Sequence, residues 1–120
     1  MVFSWTMEKL LLAAATAALL SASTPSLAGA SGFALVNQAG AGLSGVEVRR
    51  TGSADWRPLA PALSPGARTQ VAFSDPDCAF DVKARLAGNG EALWRGVNLC
   101  EVKSVTLNRG ASGETWVDYD

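Results

Sequence analysis

The sequence contains no histidine, and this absence excludes several chemistries at once. A Ser-His-Asp relay, an imidazole metal ligand and an imidazole pH switch all need a residue that the chain lacks. Cysteine is scarce too. The chain has two cysteines, so it cannot form a four-cysteine zinc site. Ten basic and eleven acidic residues give a net charge of −1, which argues against nucleic-acid binding. The 120 residues allow one ordinary domain.

Residues 1–28 are predicted to be a signal peptide. Lys9 precedes the uncharged run LLLAAATAALL at residues 10–20, which is too short for a transmembrane helix of about 20 apolar residues. The segment SLA then places small residues at positions −3 and −1, which predicts cleavage after Ala28. The segment AGA offers an alternative cleavage site after Ala30.

The rest of the chain, residues 29–120, is predicted to be a single exported domain, periplasmic or secreted, with no membrane span after cleavage. Cys78 and Cys100 both lie in this segment. Because an exported chain meets an oxidising compartment, the two cysteines are predicted to form one structural disulfide. Their spacing is much wider than the Cys-x-x-Cys pair of redox proteins.

Apolar residues after the signal peptide alternate with a period of two between Gly, Pro, Asn and Asp, a pattern that is typical of β-strands. The most regular segment places five residues on one face: Cys78, Phe80, Val82, Ala84 and Leu86. Weaker segments lie at residues 33–37, 46–49, 70–73, 91–99 and 102–107, with a possible short edge piece at residues 56–59 and a possible last strand at residues 115–119. Six or seven short antiparallel strands in a domain of this size predict an all-β fold, a small antiparallel β-sandwich.

The hairpin after this regular strand can take two registers, and a slip of one residue moves every side chain to the other face. A two-residue Asn-Gly turn pairs Leu86 with Leu93 and buries the aliphatic residues of the return strand. A three-residue loop instead pairs Ala84 with Trp94 and sets the two cysteines opposite each other. We favour the two-residue turn, which buries more aliphatic surface, with a bulge near Asn98 that rotates the second cysteine inward.

Candidate catalytic and metal-binding groups are few. No serine lies in a Gly-x-Ser-x-Gly elbow. Asp75 and Asp77 flank a proline in a segment that is typical of a turn, and they lack the spaced ligand series of a calcium loop. Asp81 interrupts an apolar run and is predicted to be exposed, or bonded to backbone, on the outer face of its strand. The chain is therefore predicted not to be an enzyme, with no cofactor and no metal.

Aromatic residues are the candidate binding groups. Trp56 lies in a loop between charged neighbours, and Trp116 and Tyr119 lie near the C-terminus. An exposed tryptophan on a β-sandwich can stack on a sugar ring or anchor a protein interface, whereas a buried one covers an open end of the core. The predicted partner is an envelope glycan or an envelope protein.

Three motifs follow one another along the chain: LxPG at residues 63–66, CxFDV at residues 78–82 and NLCE at residues 98–101. Their order resembles a family of small exported bacterial proteins, mostly proteobacterial, that have no assigned activity. The resemblance covers most of residues 32–108 and leaves out residues 111–120. It implies export and a paired cysteine, and it supplies no catalytic residue.

Three functional hypotheses follow from these observations. The first is an exported, non-enzymatic structural or interaction module that acts through its surface. The alternative is an envelope glycan- or protein-binding module that uses exposed tryptophans, which a contiguous patch with two tryptophans would favour. A small hydrolase or lyase without histidine would instead need a deep pocket lined by two carboxylates and an arginine.

Overall fold

The computed structural model describes residues 29–88 and 90–120. The predicted signal peptide and Asn89 of the predicted turn lie outside the described residues. The described residues form eight strands: β1 (Phe33–Gln38), β2 (Leu43–Arg50), β3 (Arg57–Ala60), β4 (Arg68–Val71), β5 (Ala79–Leu86), β6 (Glu91–Asn98), β7 (Ser104–Arg109) and β8 (Thr115–Tyr119).

The strands form two four-stranded sheets, one in the order β4-β1-β7-β8 and the other in the order β3-β2-β5-β6. β1 and β7 pair in parallel, and the other paired strands of the described region run antiparallel. The predicted all-β fold is confirmed. The strand number is higher than predicted because the short proline-containing segment β3 and the last segment β8 are both complete edge strands.

No helix among the described residues is long and apolar enough to span a membrane.

Both sheets contribute alternate side chains to one shared core. The largest fully buried side chains are Trp94, Phe33, Phe80, Leu35, Leu43, Leu99 and Leu107. Full burial of a large aliphatic or aromatic side chain contributes about 1.5–3 kcal/mol to folding. The indole Nε1 of Trp94 on β6 also donates a hydrogen bond of 2.8 Å to the carbonyl oxygen of Asn108 on β7, which ties the two sheets together.

Asn37 is a polar residue on the core face of β1, and it is fully buried. Its Nδ2 donates to the carbonyl oxygens of Ala41 at 2.9 Å and Leu63 at 3.0 Å, and its Oδ1 accepts from the N–H of Ala39 at 2.9 Å. The side-chain amide thus bonds backbone groups of two loops that are far apart in the sequence, one at residues 39–41 and one at Leu63. A buried amide with its bonds complete avoids the cost of an unpaired polar group.

The β5–β6 hairpin adopts neither of the two predicted registers. Val82 pairs with Trp94 and Ala84 with Ala92. Trp94 therefore lies on the core face, and the favoured two-residue turn, which would place Leu93 there, is wrong. The sequence pattern does not distinguish the registers because Leu93 and Trp94 are neighbouring apolar residues.

A β-bulge also lies at a different place from the one predicted. The register shifts between Val82 and Phe80, which pairs with Val97, so the extra residue is near Gly96 rather than near Asn98. Gly96 has a left-handed φ of 62°, a conformation that glycine adopts without a steric penalty. The bulge lets Trp94 and Val97 face the same core, which a regular ladder would forbid.

Candidate functional site

The predicted disulfide between Cys78 and Cys100 is present, with an S–S distance of 2.01 Å. It joins the residue before β5 to a residue just after β6, at the hairpin end opposite the turn. Ala30 forms isolated bridges with both Cys100 and Asp75, so the start of the described chain is fastened at the same end. The disulfide and the bridges of Ala30 therefore hold together the chain segments at this end of the molecule, which indicates a structural role for the disulfide.

Asp81 lies on the outer face of β5 as predicted, but it is buried rather than exposed. Its carboxylate accepts hydrogen bonds from Arg49 Nε at 2.9 Å, from the N–H of Gly96 at 3.0 Å and from Thr51 Oγ1 at 3.1 Å. The backbone bond confirms one part of the prediction. Burial raises the pKa of Asp81, but the bonds from Gly96, Arg49 and Thr51 outweigh it and hold the pKa below its ordinary value. The ionised carboxylate anchors the Gly96 bulge.

Asp75 is a second buried carboxylate, at the end of the molecule closed by the disulfide. It accepts from Arg57 Nη2 at 2.7 Å, and Arg50 Nη2 lies 3.1 Å away. Its Oδ1 also accepts from the N–H of Asp77 at 2.9 Å, which confirms the predicted turn. Burial raises the pKa of Asp75, but the bonds from Asp77, Arg50 and Arg57 bring it below its ordinary value. A general acid needs the opposite shift, so this carboxylate suits a structural role.

Within residues 29–88 and 90–120, no group of three or more cysteine, aspartate or glutamate side chains is arranged to hold a metal ion. Asp77 instead lies 3.1 Å from Arg50 Nε. A pocket lined by Arg50, Ser53, Asp55 and Arg57 lies beside this ion cluster. Both arginines of that pocket are bonded to Asp75, so they carry little free positive charge for a ligand.

The two buried carboxylates predict a specific pH dependence of stability. Because the pKa of each is lower in the folded than in the unfolded chain, the unfolded chain binds protons first as the pH falls. Their stabilisation is complete above the unfolded pKa of about 4 and is lost as the pH falls toward the folded pKa. We expect Asp75→Asn with Asp81→Asn to lower the unfolding free energy at pH 6 and to flatten its decline below about pH 4.

Urea unfolding at a series of pH values measures this effect. The matched control is Asp55→Asn, which changes an exposed carboxylate near the same cluster and should leave the wild-type decline in place. A double variant that retains the wild-type slope below about pH 4 would contradict the assignment of both carboxylates.

Trp56 is half-buried and immediately precedes edge strand β3. The guanidinium carbon of Arg49 lies 4.5 Å from its ring centroid, and Lys83 Nζ lies 4.3 Å from it. Both cations extend from the outer face of the β3-β2-β5-β6 sheet. The chain's own cations thus engage the indole through cation–π contacts, and Trp56 is not an open platform for a sugar ring.

Trp116 and Tyr119 are the exposed large hydrophobic residues of the described region, each with 47% of its surface accessible. Both lie on β8, but the alternation of a strand turns them to opposite faces. Tyr119 reaches toward the other sheet, where its hydroxyl oxygen accepts a hydrogen bond of 2.9 Å from the N–H of Asn98 on β6. Trp116 lies on the outer face of its own sheet. Because Trp56 packs against Arg49 and Lys83 of the other sheet, the three predicted binding residues do not form one patch.

β8 is an edge strand whose neighbour in the sheet is β7. Its ladder is bonded at both ends, because the N–H of Gly110 donates to the carbonyl of Glu114 at 2.8 Å and the N–H of Asp120 donates to the carbonyl of Ser104 at 3.1 Å. In an antiparallel pair, alternate residues point their backbone groups toward the partner strand. The even-numbered residues of β8 therefore bond to β7, and the odd-numbered residues point their N–H and C=O groups outward.

Acidic residues share the even-numbered spacing of Trp116, the spacing of one strand face. Asp118 lies within β8, whereas Glu114 and Asp120 flank the strand, and the carboxylate of Glu114 accepts a hydrogen bond of 3.2 Å from the N–H of Ser112 in the preceding turn. Sequence reasoning found Trp116 and Tyr119 but did not connect these acidic residues with them. The signal that reveals them is acidic residues at two-residue spacing within a predicted strand and its flanks. We call the outward backbone groups of β8, together with Trp116 and these three carboxylates, the β8 edge.

No protein-family model matches the chain, and no curated protein matches it. Among solved structures, the chain is similar to the NMR structure of a protein from Eubacterium rectale, with a TM-score of 0.57 and 11% sequence identity. The match covers 75% of this chain and 87% of that chain. At this identity the likeness concerns the fold alone.

Proposed function

We propose that the chain is an exported, non-enzymatic interaction module whose contact surface is the β8 edge. The observation that carries the proposal is the position of Trp116 and Tyr119. The other large hydrophobic side chains of the described region are buried or half-buried, whereas these two are exposed on one edge strand. Exposed aromatic residues with a polar rim are the usual anchors of protein interfaces.

Export is supported by two independent features. The Cys78–Cys100 disulfide fits an oxidising compartment, where such bonds persist. Residues 1–28 have the composition and the small-residue exit of a signal peptide. The resemblance to small exported bacterial proteins points the same way. A periplasmic or secreted location follows as part of the proposal.

A non-enzymatic role is supported by the state of the acidic groups. Asp75 and Asp81 are buried, bonded to arginines and backbone, and held at low pKa. A glycan remains the second candidate ligand, because the ring of Trp116 is open to stacking. A protein partner is favoured because β8 offers unpaired backbone groups as well as an aromatic ring.

Site-specific photo-crosslinking in intact cells tests the proposal. We expect p-benzoylphenylalanine at Trp116 to form a covalent adduct of higher mass with a partner protein. The matched control is the same probe at Gln70, which is exposed on the outer face of β4 at the opposite edge of the same sheet. Protein adducts at Trp116 and none at Gln70 would support the β8 edge as the contact surface. Adducts at neither position, or equally at both, would contradict it.

A further inference from the structure

The backbone of the β8 edge is arranged to pair with another strand. Thr115, Val117 and Tyr119 each point an N–H and a C=O away from β7, and within the described chain these groups make no backbone hydrogen bond to another strand. Native proteins commonly protect an edge with proline, a bulge or a lysine. The described residues of β8 have none of these, and its ladder with β7 is regular over five residue pairs.

The charge of the β8 edge limits which strand can pair with it. Glu114, Asp118 and Asp120 form no salt bridge with any residue of the described region. The β7 residues opposite Asp118 and Asp120 are uncharged, since Thr106 pairs with Asp118 and Ser104 bonds to the backbone of Asp120. Asp118 accepts a hydrogen bond from Asn108 Nδ2 at 3.0 Å, which orients its carboxylate without neutralising it.

We infer that the β8 edge accepts an extended, positively charged polypeptide segment as an added strand, an inference that rests on the proposed function. The added backbone would bond to the outward groups of Thr115, Val117 and Tyr119. On the outer face, its alternate side chains would lie beside Trp116 and Asp118. Lysine or arginine suits both positions, because a cation is attracted to an indole face and to a carboxylate.

A second copy of this chain is a poor occupant by the same argument. An antiparallel copy of β8 centred on Val117 would place Glu114 of each copy opposite Asp120 of the other. Like charges directly opposite each other across two strands are destabilising. The charge of the edge therefore favours a basic partner over self-association.

Two capped peptides of equal length test the inference, one of alternating lysine and threonine and one of alternating glutamate and threonine. Binding is measured by the NMR chemical shifts and the hydrogen exchange of the purified, disulfide-bonded protein. We expect the lysine peptide to bind about tenfold more tightly at low ionic strength, and to weaken as salt is added. Its binding should slow amide exchange at Thr115, Val117 and Tyr119, and leave Trp116 and Asp118, which already bond to β7, unchanged.

Val117→Pro removes the central outward N–H of β8 without removing a bond to β7. We expect it to weaken lysine-peptide binding about tenfold, whereas Val117→Ala, which keeps the N–H and loses similar packing, changes it less than about twofold. If Val117→Pro does not fold, Asp118→Asn supplies a surface test, since it removes one charge and should reduce binding by about threefold.

Three results would overturn the inference. The first is equal binding of the two peptides, and the second is exchange slowed without alternation along β8. The third is concentration-dependent protection of the odd-numbered amides without peptide, because a second copy of the chain would then be the occupant.

The two experiments distinguish the strand-addition inference from the proposed function. If the photo-crosslink at Trp116 forms while the lysine peptide does not bind, the proposed interaction module is supported and strand addition is refuted. If the lysine peptide binds as expected and no crosslink forms in cells, strand addition at the β8 edge is supported and the proposed function as an interaction module is refuted.

Discussion

Replacing Cys78 and Cys100 together by alanine is expected to lower the free energy of unfolding by roughly 3 kcal/mol. The disulfide closes a loop with a sequence separation of 22, which restricts the unfolded chain. A domain of this size has a modest core, so a loss of this magnitude is a large fraction of the total stability. The native hairpin keeps its ladder, because Ala79 pairs with Asn98 independently of the bond.

Urea unfolding of the oxidised protein, the reduced protein and the double variant separates the contribution of the bond from that of the side chains. The reduced wild type and the variant should have similar midpoints, both well below that of the oxidised protein. Reductant should have no effect on the variant. A reduced wild type with the midpoint of the oxidised protein would show that the bond does not stabilise the fold.

The sequence predicts β5 well because the pattern there is redundant. Of the five residues predicted to share one face, four are buried, Phe80, Val82, Ala84 and Leu86, whereas Cys78 precedes the strand and is exposed. A two-residue period that continues over the whole strand has one arrangement that buries all the apolar residues of the strand. The disulfide is predictable for a similar reason, because two cysteines allow only one intramolecular pairing.

The hairpin register is not predictable from local pattern because a contact between separate segments determines it. At the Gly96 bulge, the N–H of Gly96 donates a hydrogen bond to the carboxylate of Asp81. The same carboxylate accepts hydrogen bonds from Arg49 on β2 and from Thr51 in the loop that follows β2. The pairing of β1 with β7 is non-local as well. Alternation identifies the strands but carries no information about their neighbours or their relative direction.

In the candidate site, too, the local sequence pattern identifies residues but not their surroundings. Trp116 and Tyr119 are visible in the sequence as aromatic residues in a possible last strand. Whether they are free depends on β8 being at the edge of its sheet, which only the strand order reveals. The position of Trp56 depends on Arg49 and Lys83, which come from two other strands, so its engagement by cations has no local sequence signal.

The largest effect of a single substitution is expected for Trp94→Ala, which should destabilise the protein by about 3–5 kcal/mol. The Trp94 side chain is 1% exposed and lies between the sheets, so its removal leaves a large cavity. It also removes the hydrogen bond from Nε1 to the carbonyl of Asn108. Trp94→Phe should destabilise the protein less than Trp94→Ala, because phenylalanine fills part of the cavity. Both variants lose the hydrogen bond to Asn108.

Leu93→Ala is the matched control, because it removes an apolar side chain at the next position, where the structure places a half-buried residue. We expect a loss of about 1 kcal/mol or less from it, measured by urea unfolding beside Trp94→Ala. The two-residue turn would reverse this order, since it places Leu93 in the core and Trp94 outside. A larger loss from Leu93→Ala than from Trp94→Ala would therefore refute the observed register. The expected order would establish in solution that Trp94, and not Leu93, lies on the core face of β6.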